Sequence, residues 1–292
     1  MKAYWLYYLA TKLVPLLPER LGYWLFARLG DLAFLFGSKA RARYLNNLDH
    51  VLGPDENASV RKRIARQAFQ NLMKNYYDLF CSHRLSPERL RGQLQQLVGF
   101  EHFEAALAEG RGCVAGSAHM GNFNLFILLA GLYLGEHRQV LVPVERLEPE
   151  RLYELLKRQR ASQGVELVPV DQAARPIIKT LRAGNIVGLA LDLDVTRTGP
   201  VVTFFGHPAQ LPDGAAALAL KFQVPIVLGF ARRLPNNRCV AEIEPPLRLQ
   251  STGDLARDTR AGVEQIARIL EKWICKYPEQ WIMFEPVWKS DS

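Results

Sequence analysis

The sequence predicts an α/β protein: a mostly parallel sheet flanked by helices, preceded by an N-terminal helical segment that associates with membrane. Three observations carry this reading. From Gly110 onward, near-continuous apolar runs alternate with helix-like stretches, the pattern of a parallel sheet covered on both faces. Residues 40–110 read as helices. Two apolar, aromatic-rich segments fill the first forty residues. The organisation expected from these is residues 1–40 as membrane-associating helices and residues 41–292 as an α/β domain.

At the N-terminus, residues 3–17 are apolar and aromatic, interrupted by Lys12. Pro18-Glu19-Arg20 breaks the run, and residues 21–36 form a second apolar stretch with Arg28 and Asp31 in it. Neither reaches the roughly 18–20 uncharged residues of a spanning helix. A signal peptide fits poorly, because no small-residue cleavage site follows a compact apolar core. Tyr4, Trp5, Tyr7, Tyr8, Tyr23 and Trp24 suit a membrane interface, where amphipathic rings settle. Lys2, Lys12, Arg20, Arg28, Lys39, Arg41 and Arg43 add positive charge that anionic lipid attracts. A buried helical hairpin would explain the apolar content. The aromatic-plus-basic mixture favours helices lying in or dipping into the bilayer.

Residues 41–51 are amphipathic and stop at Gly53-Pro54. Asn57-Ala58-Ser59 starts the next helix, which runs through Arg61, Arg63 and Arg66 to Phe80. Ser86-Pro87-Glu88 is a helix start with proline in the first turn. The strands follow as apolar runs at residues 113–118, 140–144, 165–170, 186–191, 225–230 and 239–243. Residues 123–134, 147–163, 173–183 and 214–222 are the helices between them. Active sites in such sheets gather at the C-terminal strand ends. His119 lies at one such end, Glu145 at the next, and Asp192 and Asp194 at a third, so one cleft can collect them.

His119 stands where a strand stops and an apolar helix begins, with Gly121 and Asn122 in the turn. Such a junction offers free backbone N–H groups and the positive end of a helix dipole, which suit anions and developing oxyanions. A histidine there titrates near neutrality and can serve as general base. The competing reading is a histidine that only caps the turn. The Gly-Asn turn and apolar flanks favour function.

The chain has 292 residues, 49% of them apolar, and a net charge of +8. Acidic partners are favoured: anionic headgroups, phosphorylated substrates or nucleic acid. No nucleic-acid recognition module is present, so that partner is set aside. Cys81, Cys113, Cys239 and Cys275 are far apart. No zinc site, disulfide framework or bound cofactor is indicated, and a reducing compartment is expected.

Three blocks together carry a resemblance. His119-Met120-Gly121-Asn122-Phe123-Asn124 resembles the H-x-G-N-x-D/E signature of the lysophospholipid-acyltransferase-like superfamily. Thr203-Phe204-Phe205-Gly206-His207-Pro208-Ala209, then Pro212, Gly214 and Leu218-Ala219, resembles the FFG-x-PA…P-x-G…LA block of its lipid A acyltransferase branch. That branch includes the phosphatidylinositol mannoside acyltransferases. Pro278-Glu279-Gln280-Trp281 and the basic helix after the apolar N-terminus fit as well. The stretch from Glu145 to Leu152 is nearer the mannoside enzymes, which points toward a glycolipid acceptor.

The resemblance implies a fatty acyl transfer from acyl-CoA or an acyl carrier protein to a lipid or glycolipid hydroxyl. It implies His119 as base, and a location on the cytoplasmic face of the inner (plasma) membrane, peripheral or N-terminally anchored. One position departs: the family expects a carboxylate where this chain has Asn124. An amide carbonyl can orient the ring but supplies no charge to the imidazolium. Glu145 is expected to supply it, provided its strand pairs next to that of residues 113–118, with Asp194 in reserve. Arg160 resembles a phosphate-binding basic position. Asp192, Asp194 and Arg197 resemble the acidic block before the FFG run. Gly206 is expected to turn Phe204 and Phe205 against an acyl groove, although simple core packing explains the two rings equally well. A non-catalytic lipid-binding relative is the alternative that Asn124 favours. A generic α/β hydrolase is disfavoured, since no G-x-S-x-G elbow occurs.

Overall fold

In the computed structural model, residues 2–82, 84–134, 138–145, 149–161 and 164–288 are described, without the side chains of residues 2–3, 152, 156 and 158–161. The first four helices are α1 (Lys2–Leu13), α2 (Glu19–Phe36), α3 (Ser38–Leu52) and α4 (Ala58–Ser82). Then come α5 (Pro87–Gly92), β1 (Leu94–Val98), α6 (Phe100–Ala108), β2 (Cys113–Ser117), α7 (Phe123–Leu134) and β3 (Val140–Val144). The alternation continues with α8 (Glu150–Ala161), β4 (Val165–Pro169), α9 (Ala174–Arg182) and β5 (Ile186–Ala190). A hairpin of β6 (Val201–Phe204) and β7 (His207–Gln210) precedes α10 (Gly214–Phe222), β8 (Ile226–Arg233), β9 (Cys239–Ile243) and α11 (Leu255–Lys276).

The expected α/β architecture is present. Seven strands form one sheet in the order β1-β9-β8-β2-β5-β3-β4. All neighbours are parallel except β8 and β9, which are antiparallel. The reversal follows from the short link between them, since a few residues can join antiparallel strands but not parallel ones. Val114, Val187, Ile226 and Leu228 on one face pack with residues of α10 and α11. Cys113, Val140, Val142 and Ile186 on the other pack with α6 and α7.

Four elements depart from or add to the sequence reading: β1, the hairpin strands β6 and β7, and α11. Residues 94–98, expected to be helical, form edge strand β1, because they pair in parallel with β9. The 22-residue α11 buries Val263, Ile266, Leu270, Trp273 and Ile274 along one face. The helix expected over 147–163 is seen as α8, and its flanking residues lie outside the described set.

At the N-terminus, α2 lies along α4. Tyr23 and Phe26 bury against Tyr77 and Phe80. The helices meet closely at Gly30, where a Cβ would stand 2.6 Å from the Gln70 Cα. The opposite faces of α1 and α2 keep large apolar side chains in solvent. Leu6 is 73% exposed, Trp24 59% and Phe36 83%. Among the described residues, no helix is long and apolar enough to cross a membrane.

Candidate active site

The site is built where β2 and β5 end side by side. The two strands pair in register from Cys113–Ile186 to Ser117–Ala190. The chain leaving β2 reaches His119 and the chain leaving β5 reaches Asp192. Sheet pairing thus brings together residues 73 positions apart.

The turn after β2 is held from three sides. Gly121 N–H donates to the Gln280 carbonyl at 2.7 Å and Asn122 N–H to the Ala231 carbonyl at 2.8 Å. Ile282 N–H donates to the His119 carbonyl at 2.7 Å. Gly121 has φ +55, and a Cβ there would overlap the Ala231 oxygen, so only glycine fits. Asn122 caps α7, its Oδ1 accepting Leu125 N–H at 3.1 Å.

Beneath the turn lies a buried polar cluster. Asn75 donates to the Gly121 carbonyl at 2.7 Å, and Asn122 donates to Asp78 at 2.8 Å. Arg233, 2% exposed at its side chain, donates to Asn75 Oδ1 and to Asp78. Tyr23 of α2 donates to the other Asp78 oxygen. A buried ion pair costs desolvation and holds only when its lone pairs are satisfied. Here Asp78 is satisfied by three donors from three elements. The N-terminal helices are thereby joined to the floor under His119.

Asp192 is fully buried, and His119 is 31% exposed at its side chain. Asp192 Oδ1 lies 2.8 Å from His119 Nδ1. Asp192 Oδ2 accepts His119 N–H and the Trp281 indole N–H, each at 2.8 Å. A buried carboxylate flanked by N–H donors holds the ring tautomer with Nδ1 protonated and leaves Nε2 free as acceptor. Burial pulls the His119 pKa down, but the charge and hydrogen bond of Asp192, with the Glu145 charge behind them, raise it above its ordinary value. Burial pushes Asp192 up, and the His119 and Trp281 bonds outweigh this and hold it below the usual carboxylate range. At the C-terminal ends of β2, β3 and β5, Ala190 and Glu145 are exposed and Ser117 is half-buried. Phe123 meets the imidazole edge-on at 5.2 Å.

The placement of Glu145 is corrected by the strand order. β5 lies between β2 and β3, so Glu145 is two strands away from His119, and the neighbouring carboxylate is Asp192. Asn124, expected to orient the ring, is buried in α7 and lines a cavity of about 230 Å³ with Tyr23, Asp78, Asn122 and Leu128. The ring nitrogen assigned to it is held by Asp192. Asp194 is turned to its own loop. Its oxygens accept the N–H groups of Thr196, Arg197 and Gly199. Arg197 is exposed with φ +56 in that loop. Arg160 lies on α8, and its side chain falls outside the described residues.

The FFG block forms a hairpin, with the expected turn at Gly206. Phe205 and Gly206 take φ +52 and +75, the two positive values that a two-residue hairpin turn favours. Phe204 is fully buried against Trp288, so its ring packs in the core. The Phe205 N–H donates to Glu271 of α11. The residue that sequence reasoning misses is Trp281. The run from Pro278 to Trp281 stands out as a motif, but what the indole reaches depends on the fold.

The chain belongs to the bacterial lipid A biosynthesis acyltransferase family, whose model matches residues 1–290. It is accordingly an acyltransferase with an acyl donor and a lipid acceptor. Among curated relatives, it is similar to a phosphatidylinositol mannoside acyltransferase of Mycobacterium tuberculosis. The identity is 31% over 258 residues, covering 84% of this chain and 76% of that protein. A protein of the same name from Mycolicibacterium smegmatis is 28% identical over 288 residues, covering 96% of this chain and 89% of its own length.

Proposed function

We propose that this acyltransferase moves a fatty acyl chain from a carrier thioester, acyl-CoA or acyl carrier protein, to a hydroxyl of a glycolipid or other lipid. The observation that supports it best is the His119–Asp192 pair at adjacent strand ends, with the imidazole partly exposed. In this reading His119 Nε2 takes the proton of the acceptor hydroxyl. The oxygen adds to the thioester carbonyl, and the tetrahedral intermediate collapses with cleavage of the C–S bond. The imidazolium then returns its proton to the departing thiolate. Asp192 keeps the ring in the productive tautomer and offsets the charge it gains.

The glycolipid preference rests on the two mannoside relatives. The non-catalytic alternative draws its support from Asn124, and that support weakens once another carboxylate stands at the ring. Replacing His119 with Ala tests the reading. Thioester consumption with a lipid extract should fall about a hundred- to ten-thousand-fold, with the fold intact by circular dichroism. Undiminished turnover sinks it.

The protein works at the cytoplasmic face of the inner (plasma) membrane, with residues 1–40 lying in the lipid interface. The exposed apolar faces of α1 and α2, flanked by basic residues, support this. Full-length protein should float with phosphatidylglycerol vesicles. Trp24→Glu with Phe36→Glu should leave it in the unbound fraction. Flotation unaffected by both changes rejects the assignment.

A further inference from the structure

Trp281 does two things at the site at once. Its indole N–H donates to Asp192 Oδ2 at 2.8 Å. Its main chain lies beside the His119 turn: Met120 and Trp281 form an antiparallel bridge, with Gln280 and Ile282 bonded to Gly121 and His119 on either side. The residue is 1% exposed. A buried indole N–H needs a partner, and a carboxylate as deeply buried as Asp192 needs donors for both oxygens.

The two oxygens of Asp192 are engaged differently. Oδ1 meets the imidazole. Oδ2 holds the carboxylate plane through His119 N–H and Trp281. The first of these donors belongs to the residue being positioned. Trp281 is thus the independent anchor among the three bonds.

The anchor is itself braced. Trp288 meets Trp281 edge-on at 6.2 Å and stacks on Phe204 at 5.5 Å. Its indole donates to the Phe204 carbonyl at 3.2 Å. The FFG hairpin and the C-terminal segment therefore form one aromatic stack behind Asp192.

We propose that Trp281 is a positioning residue for acyl transfer: one side chain and its own backbone hold Asp192 and His119 in register. This rests on the reading of His119 as base. A lost hydrogen bond to a charged group is worth about 1.5–3 kcal/mol, or roughly ten- to a hundredfold in rate. Trp281→Phe should lower kcat by that factor and leave KM for thioester and acceptor unchanged.

Removing a donor from the buried carboxylate also makes the His–Asp pair hold its proton more tightly. The acid limb of the rate profile should therefore move to higher pH. The charged groups acting on the ring are Asp192 and Glu145. On the surrounding elements, Asp194 is bound in its loop, Arg232 pairs with Glu242, Arg233 with Asp78, and Glu285 with Arg43. Glu279 acts on Tyr44. A packing role for Trp281 alone would leave the limb where it is.

Since a ring deletion in the core can unfold the chain, a second form replaces Trp281 by 3-benzothienylalanine. That residue keeps the bicyclic shape and exchanges the N–H for sulfur. Both forms should show the slower kcat, constant KM and displaced limb. A benzothienyl form with the parent's kcat and limb overturns the proposal, whatever Trp281→Phe does. If His119→Ala and Asp192→Asn abolish turnover in the same assay while the benzothienyl form does not, only the Trp281 assignment falls. If His119→Ala is fully active, the base reading falls and the Trp281 role with it.

Discussion

Replacing Asp192 with Asn is the sharpest perturbation of the site. The change is nearly isosteric and removes one charge. Its consequence follows from the donors around it. Asp192 meets three N–H groups: the His119 ring and main chain, and the Trp281 indole. An amide has one acceptor oxygen and one NH2. The oxygen is best kept where two donors converge, at the position of Oδ2, so the NH2 faces His119 Nδ1. Two donors cannot bond each other, so Nδ1 must become the acceptor and the ring proton must move to Nε2. The base nitrogen is then blocked. The same exchange in a serine-protease triad leaves the histidine in the wrong tautomer and costs about 10⁴ in kcat. That corresponds to roughly 5.5 kcal/mol at about 1.36 kcal/mol per decade. The assay is thioester consumption in lipid extract, with a thermal melt to show that the fold persists. Activity within about tenfold of the parent would refute the argument, since loss of the charge and the tautomer together must cost more than one decade.

Four further outcomes are expected. The kcat/KM profile should rise with pH through a limb above the ordinary histidine value of about 6.5, because His119 works neutral and its pKa is raised; a limb below that value contradicts the pair. By the same shifts, the His119 contribution to stability is present below about pH 6.5 and lost as pH rises through its folded pKa, whereas that of Asp192 is present above about pH 3.9 and lost as pH falls through its folded pKa; chemical melts across pH check both. Glu145→Gln should slow turnover by less than about fivefold, since an exposed, screened charge is worth at most about 1 kcal/mol; a loss approaching that of His119→Ala would restore Glu145 as the partner. Gly121→Ala should lower the melting temperature by several degrees, as left-handed backbone costs about 1–2 kcal/mol before the clash with the Ala231 oxygen; an unchanged melt would show that the turn can shift.

Much of the sheet was legible because burial on both faces writes strands as unbroken apolar runs. Residues 140–144 and 239–243 coincide with β3 and β9. The edge strand β1 was not legible: Leu94-Gln95-Gln96-Leu97-Val98 alternates weakly and is exposed at three of five positions. Its pairing with β9 decides its state, and pairing is a property of the fold. The FFG run was legible as a motif but not as a hairpin. Phe205 in left-handed backbone runs against its propensity and is held by Glu271, a residue 66 positions away.

The candidate site divides along the same line. His119 could be read from local features, because a strand, a turn and a helix are consecutive in the chain. Its carboxylate could not, because strand order is not consecutive. Both Glu145 and Asp192 stand at strand ends in the sequence, and only the insertion of β5 between β2 and β3 chooses between them. The same insertion bears on Asn124. A carboxylate five residues after the histidine is one way to charge the ring's neighbour, drawn from the helix that follows. A carboxylate at the end of the adjoining strand is another, and here it comes with three N–H donors that keep it ionised in a fully buried place. A second acid at position 124 would enter a cavity already walled by Asp78. The like charge would raise the cost of both. Asparagine at that position is therefore consistent with a working site whose charge is supplied from β5.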